Sequence, residues 1–245
     1  LREIFYKFQN FYQNILFNSI SFKKIGKNKK KKILICGNGP SLKYLIKNKN
    51  EFEDYDLLLF NFGPVHCELD IKYHLFEVDI NINDKIGSGA LKDGEFKRYL
   101  KGDTARTQYL IDKSNNFKNF LKLKKLDKRV IHLKKRRIVH YPELKFIENI
   151  KKSIKKDFIP YAKSSVVYSV FLAIKLNYTH IEFLGINPQN NGSFYFDKIS
   201  KKVHNTIKPD KGYNSYDLIK IISKVDIFRE IKFKVNENNG WDFLN

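Results

Sequence analysis

The sequence predicts an α/β fold built on a parallel sheet, and three observations carry that expectation. Two apolar runs, residues 33–36 and 57–60, bracket a stretch of helical periodicity, the pattern of a β-α-β unit with a right-handed crossover. Residues 33–36 (ILIC) are followed at once by Gly37-Asn38-Gly39-Pro40-Ser41, a turn between a strand and a helix. A further predicted strand, Ile181-Glu182-Phe183-Leu184, again ends on a glycine, Gly185. Continuous rather than alternating apolar runs belong to strands covered on both faces.

Taken in order, the chain opens with an aromatic segment over residues 1–25. Ile4, Phe5, Phe8, Phe11, Tyr12, Ile15 and Phe17 recur at helical intervals and predict an amphipathic helix. Seven lysines between Lys23 and Lys32 form a cationic linker that cannot pack in a core, which sets a boundary near residue 30. The expected organisation is an amphipathic basic segment over 1–30 and one domain over 31–245. Leu42, Leu45 and Ile46 supply the apolar face of the first helix of that domain, and the strand at 57–60 ends at Asn61-Phe62-Gly63-Pro64. Residues 73–76 predict a third strand and 130–133 a fourth, with a polar, glycine-containing loop or lid over 81–103 between them. Lys134, Lys135, Arg136 and Arg137 make a basic run, and residues 142–156 read as a basic helix. Val167, Val170, Phe171 and Ile174 fall on one face of a helix starting near Ser164. Residues 227–235 predict the last strand and 241–244 a packing terminus.

Composition bounds what such a domain can be. An apolar fraction of 42% with 15% aromatics excludes a disordered chain. The net charge of +21 points to phosphate-bearing partners, although a biased gene composition is a plainer source of much of the lysine. The basic runs lack the stacked aromatics of an RNA-binding sheet, so no nucleic acid is expected. Cys36 and Cys67 give neither a disulfide framework nor a metal-ligand spacing, which suits a reducing cytoplasm. With no apolar run of about 18 residues and no signal-like start, the expectation is a soluble or peripheral protein. The aromatic segment followed by lysines fits a surface-lying anchor on an anionic membrane, or else an ordinary helix packed on the domain.

Chemistry concentrates at the glycine turn. Such a turn aims backbone N–H groups and a helix N-terminus at one point, where a phosphate can be held. Gly37 and Gly39 permit close approach, Pro40 suits the first helical position, and Asn38 and Ser41 offer side-chain groups. The turn is neither the dinucleotide fingerprint, since Leu42 stands where its third glycine would fall, nor a Walker loop. A Rossmann-like nucleotide-binding domain is the reading these residues support.

Residues 33–42, ILICGNGPSL, resemble the N-terminal motif of the sialyltransferases of glycosyltransferase family 42. Residues 164–197, SSVVYSVFLAIKLNYTHIEFLGINPQNNGSFYFD, are similar to that family's helix, strand and following loop. The two matches stand in the family's order and cover about a fifth of the chain. The resemblance implies a Rossmann-like parallel sheet of the glycosyltransferase type A variety with a lid, here around residues 187–216. It also implies a CMP-linked sugar donor, inversion at the anomeric carbon, a glycan acceptor of the lipooligosaccharide or capsule kind, and no metal or cofactor. Residue by residue, it sets Asn38 against the donor phosphate or sugar, Asn61 against the ribose or sugar, and Ser165 against the cytidine or carboxylate region. Gly37, Gly39, Ser41, Ser164, Gly185 and Ser193 complete the expected donor-binding set. Tyr195 matches a tyrosine that supports the departing phosphate.

The chain departs from the family at three points. Gln189 stands where the family has a second tyrosine, Asn187 where it has an aspartate, and Gly212 or Tyr213 where its catalytic histidine falls. His204, in a polar loop eight residues before Gly212, is the candidate general base instead. His66 and His74 are weaker candidates, and His180, just before a strand, reads as structural. The expectation is a glycosyltransferase at the bacterial inner membrane, on its cytoplasmic side, with homo-oligomer formation left open. Its rivals are a noncatalytic nucleotide- or nucleic-acid-binding module and an enzyme that transfers or hydrolyses pyrophosphate.

Overall fold

The computed structural model describes residues 30–37, 42–60, 69–76, 108–111, 130–133, 135–138, 140–162, 164–186 and 215–235. Nine strands and four α-helices are found among them: β1 Lys32–Cys36, α1 Leu42–Lys47, β2 Tyr55–Phe60, β3 Ile71–Phe76, β4 Gln108–Ile111, β5 Val130–His132 and β6 Lys135–Arg137. Then follow α2 Glu143–Ser153, β7 Ile159–Tyr161, α3 Ser165–Lys175, β8 His180–Leu184, α4 Ser215–Ser223 and β9 Lys232–Val235.

Seven strands form one sheet in the order β5-β4-β3-β2-β1-β8-β9, and every neighbouring pair is parallel. This is the Rossmann-like α/β arrangement that the sequence predicts. Strand order reverses between β1 and β8, because the chain builds outward from β1 through β5 and then returns to lay β8 on the other side of β1. β6 and β7 pair separately as a small parallel ribbon.

The pleat sends alternate residues of β1 to opposite faces. Ile33 and Ile35 enter one core with Leu58, Tyr73, Ile181 and Phe183, under α2, α3 and α4. Leu34 and Cys36 enter the other with Leu57, Leu59 and Leu184, against Leu42 and Leu45 of α1. Burial on both faces is why 33–36 and 57–60 read as unbroken apolar runs and why 181–184 is apolar but for Glu182. Four details depart from the sequence reading. α3 is buried from Val166 to Ala173 rather than on one face, since it lies between the sheet and its neighbours β7 and α4. Residues 226–228 form a 3-10 turn instead of opening the last strand, with Phe228 buried and Ile227 exposed. Lys135–Arg137 is a strand rather than only a basic run, and β4 and β7 have no counterpart in the sequence reading.

The amino ends of the strands are held by side chains. Asp56, buried at the start of β2, accepts from Lys72 Nζ at 2.6 Å and from the Tyr178 hydroxyl at 2.5 Å. Glu182, buried in β8, accepts from the Tyr55 hydroxyl at 2.7 Å. Buried acids are tolerated when donors surround them in this way. Main-chain bonds close the same edge, with Thr179 N and His180 N donating to Lys31 O at 3.0 and 3.2 Å.

Candidate functional site

The opposite edge carries the predicted site. In open parallel sheets the crevice beyond the carboxyl ends of the strands, where strand order reverses, is where ligands bind. Here that point lies between β1 and β8, whose last residues Cys36 and Leu184 are register partners. Gly37 and Gly185 stand one residue beyond, so two glycines named from the sequence meet although they are far apart along the chain.

They meet closely. Gly37 N donates to Leu184 O at 2.8 Å. Gly185 has φ 68°, a left-handed conformation that glycine adopts without a β-carbon penalty. A β-carbon placed on Gly37 would lie 2.4 Å from Gly185 O and 2.9 Å from Ile186 Cγ1. The sequence reading assigned the freedom of Gly37 to a close approach by ligand. In the structure the atoms nearest its vacant β-position belong to the protein's own backbone.

α3 delivers Ser164 and Ser165 to the same edge. Residues 176–179 reverse the chain between α3 and β8, so the helix runs back along the sheet and its N-terminus lies at the carboxyl end of the strands. Ser164 is its N-cap, with extended backbone (φ −134°, ψ 151°) and a side-chain oxygen that accepts from Val167 N at 3.3 Å. The hydroxyl that accepts there can also donate its proton. Ser165 opens the helix, and its carbonyl accepts from the Ser169 hydroxyl at 2.8 Å. α1, which follows the glycine turn, has only six residues, so the dipole of α3, with eleven, is the larger one at this end of the sheet.

Two histidines weighed in the sequence are placed elsewhere. His74 lies within β3, fully buried, with Leu59 and Tyr109 as its register partners. His180 opens β8 at the amino edge, opposite to Gly37. Burial lowers its pKa, with Lys32, Lys232 and Lys234 adding to the effect and Glu182 opposing it. His180 is thus part of the structural edge. Asn38, Gly39, Ser41, Asn61, His66, Ser193, Tyr195 and His204 lie outside the described residues. Most of the lid span lies there too, and α4 begins at Ser215 within its expected limit. Among the described residues no group of three His, Cys, Asp or Glu side chains could hold a metal ion. Ile186, which packs against Gly37, was not singled out in the sequence. Its only signal there was its place after a glycine that ends a strand.

No family model and no curated protein matches the chain. Solved structures do. The fold is similar to that of the sialyltransferase CstII from Campylobacter jejuni, solved in complex with a substrate analogue, cytidine-5'-monophosphate. Its TM-score is 0.50 at 19% identity, over 86% of this chain and 81% of that one. The monofunctional alpha-2,3-sialyltransferase Cst-I from the same organism gives a TM-score of 0.48 at 17% identity, over 86% and 77%. At such identity the likeness to CstII is one of fold.

Proposed function

We propose that the chain is an inverting glycosyltransferase that moves sialic acid or a related sugar from a CMP-linked donor to a glycan acceptor of the lipooligosaccharide or capsule kind. The observation that carries the reading is the meeting of Gly37 and Gly185 at the β1/β8 switch point, with the N-terminus of α3 at the same edge. Two further facts support it: the motifs at residues 33–42 and 164–197 contain β1 and β8, the two strands that meet at this edge, and the fold is similar to that of an enzyme solved with cytidine-5'-monophosphate.

In this scheme the backbone of Asn38 and Gly39 and the Ser41 hydroxyl hold the donor phosphate, and Gly37, whose N–H is given to Leu184 O, starts the turn that presents them. Asn61 faces the ribose or sugar, Ser164 and Ser165 face the cytidine or carboxylate, and Gly185 and Ser193 complete the donor site. The acceptor oxygen attacks the anomeric carbon while the bond from that carbon to the phosphate oxygen breaks. The bonding pair leaves with CMP, and the acceptor proton passes to His204. Tyr195 donates to the departing phosphate oxygen, where negative charge grows. No metal or cofactor enters these steps.

The test is nucleotide release and sugar transfer measured across a panel of sugar nucleotides. CMP-linked sugars should be consumed and uridine- or guanosine-linked ones left intact; indifference to every CMP-linked donor would overturn the reading. His204→Ala should lower transfer by roughly 10²–10⁴-fold with donor affinity unchanged. We further propose that the segment over 1–30 seats the protein on the cytoplasmic face of the inner membrane. Flotation of the whole chain with phosphatidylglycerol vesicles, but not with phosphatidylcholine vesicles, is the expected result.

A further inference from the structure

We infer that Gly37 and Gly185 form a clasp, main chain against main chain, that sets the spacing between the ends of β1 and β8 at the switch point. Gly37 is then a positioning residue whose essential property is the lack of a side chain. The inference deepens the nucleotide-site reading and rests on it.

The argument starts from distances. A β-carbon on Gly37 would stand 2.4 Å from Gly185 O, 2.9 Å from Ile186 Cγ1 and 3.0 Å from Gly185 C, whereas ordinary contact begins at 3.4 Å. Ile186 is a side chain and could turn aside. The carbonyl is main chain and follows Leu184, which is paired in the sheet, so clearing it requires the strand end to move. The nearest contact therefore falls about 1 Å short, and the strand ends must part by a comparable amount. The bond from Gly37 N to Leu184 O, at 2.8 Å, does not survive such a displacement.

Opening the clasp leaves the sheet below it intact. Five register pairs join β1 to β8, from Lys32 with His180 to Cys36 with Leu184, and all lie on the sheet side of the glycines. A displacement confined to the tips moves Gly37 and Gly185 while the strands stay paired. A nucleotide held at both strand ends is sensitive to this, since a misplacement of about 1 Å can cost an enzyme on the order of 10²-fold in rate. A merely structural glycine would instead lose stability and leave the affinity of the folded fraction unchanged.

CMP is the probe, titrated by calorimetry into the full chain well below its denaturation midpoint. Gly37→Ala should fold, with strand pairing intact by amide exchange, and should bind CMP at least tenfold more weakly. Unchanged affinity in the folded variant overturns the inference. Adding Ile186→Ala should not restore binding, because the carbonyl remains; restoration would place the strain on the side chain and overturn it as well. If Gly37→Ala does not fold, exchange of the Gly37 amide in the wild-type protein decides. Equal protection with and without CMP supports a preformed clasp, and protection that appears only with CMP overturns it. A wild-type protein that ignores CMP refutes the nucleotide reading, while slow or fast exchange of the Gly37 amide in the free protein still upholds or overturns the clasp.

Discussion

The two ends of the sheet are held by opposite means. At the amino end, buried side chains do the work: Asp56 gathers Lys72 and Tyr178, and Glu182 accepts from Tyr55. At the carboxyl end between β1 and β8, side chains are missing, and main chain meets main chain at Gly37 and Gly185. A side-chain network fills space and satisfies charge, which fixes strands but leaves little room for a ligand. A main-chain contact with glycine on both strands takes up less room. Stability and binding should therefore separate by edge, and substitutions at the amino end should test that separation.

Asp56→Ala should have the largest effect on stability. It strips Lys72 and Tyr178 of a shared buried partner and should cost about 3 kcal/mol, the low end for breaking such a pair because Lys72 is 30% exposed. Urea denaturation measures this. CMP affinity of the folded variant should not change, and a parallel loss of affinity would break the division between the edges.

Tyr178→Phe should cost about 2 kcal/mol, the scale of a hydrogen bond to a charged acceptor. It also bears on alkaline stability. Burial first, then the neighbouring Tyr73 and Asp56, raises the Tyr178 phenol well above its ordinary pKa, and burial together with Glu182 does the same for Tyr55. A raised phenol means that the folded state keeps protons the unfolded chain releases. That stabilisation is complete below about pH 10 and is lost above it as pH climbs toward the folded-state values. The wild-type urea midpoint should fall above about pH 10, and the fall should be shallower in Tyr178→Phe.

Ser164→Ala sharpens the comparison from the other edge. Loss of the cap should cost about 1 kcal/mol. If Ser164 also touches the donor, CMP affinity should fall beyond what the lost stability explains. An unchanged affinity confines Ser164 to capping.

The smallest effect belongs to His180. Its lowered pKa favours the neutral ring in the folded state, so its contribution is complete above about pH 6.5 and declines as pH falls below that value. His180→Gln should flatten the midpoint's pH dependence below about pH 6.5 without altering transfer. A change in the pH profile of transfer would instead draw the amino edge into the chemistry.

How much of this was legible in the sequence follows from burial and length. β1, β2 and β8 were legible because both faces of each are covered, and the glycines after β1 and β8 marked where those strands end. β4, at four residues, and β7, at three with Pro160 in the middle, give too short a signal for periodicity to register. β6 consists of Lys135, Arg136 and Arg137, whose charge reads as a solvated run. Asp56 belongs to a strand that its own polarity argues against, and only Lys72 and Tyr178, from two other parts of the chain, explain it. For the site, the sequence named Gly37, Ser164, Ser165 and Gly185 separately. That Gly37 presses on Gly185 was out of reach, because no local pattern encodes contact between residues so far apart.

The pairing of Lys32 with His180 also has a consequence in time. β1 can join β2 soon after both are synthesised, since Lys32 and Tyr55 are close in sequence. Its other side must wait for β8, and non-local pairings of this kind form slowly. A nascent chain therefore carries β1 as an open strand edge through much of its synthesis, a surface prone to wrong association until the true neighbour arrives. The switch point beside Gly37 is therefore assembled only once residues 180–184 have been made, with β9 still to be added beyond β8.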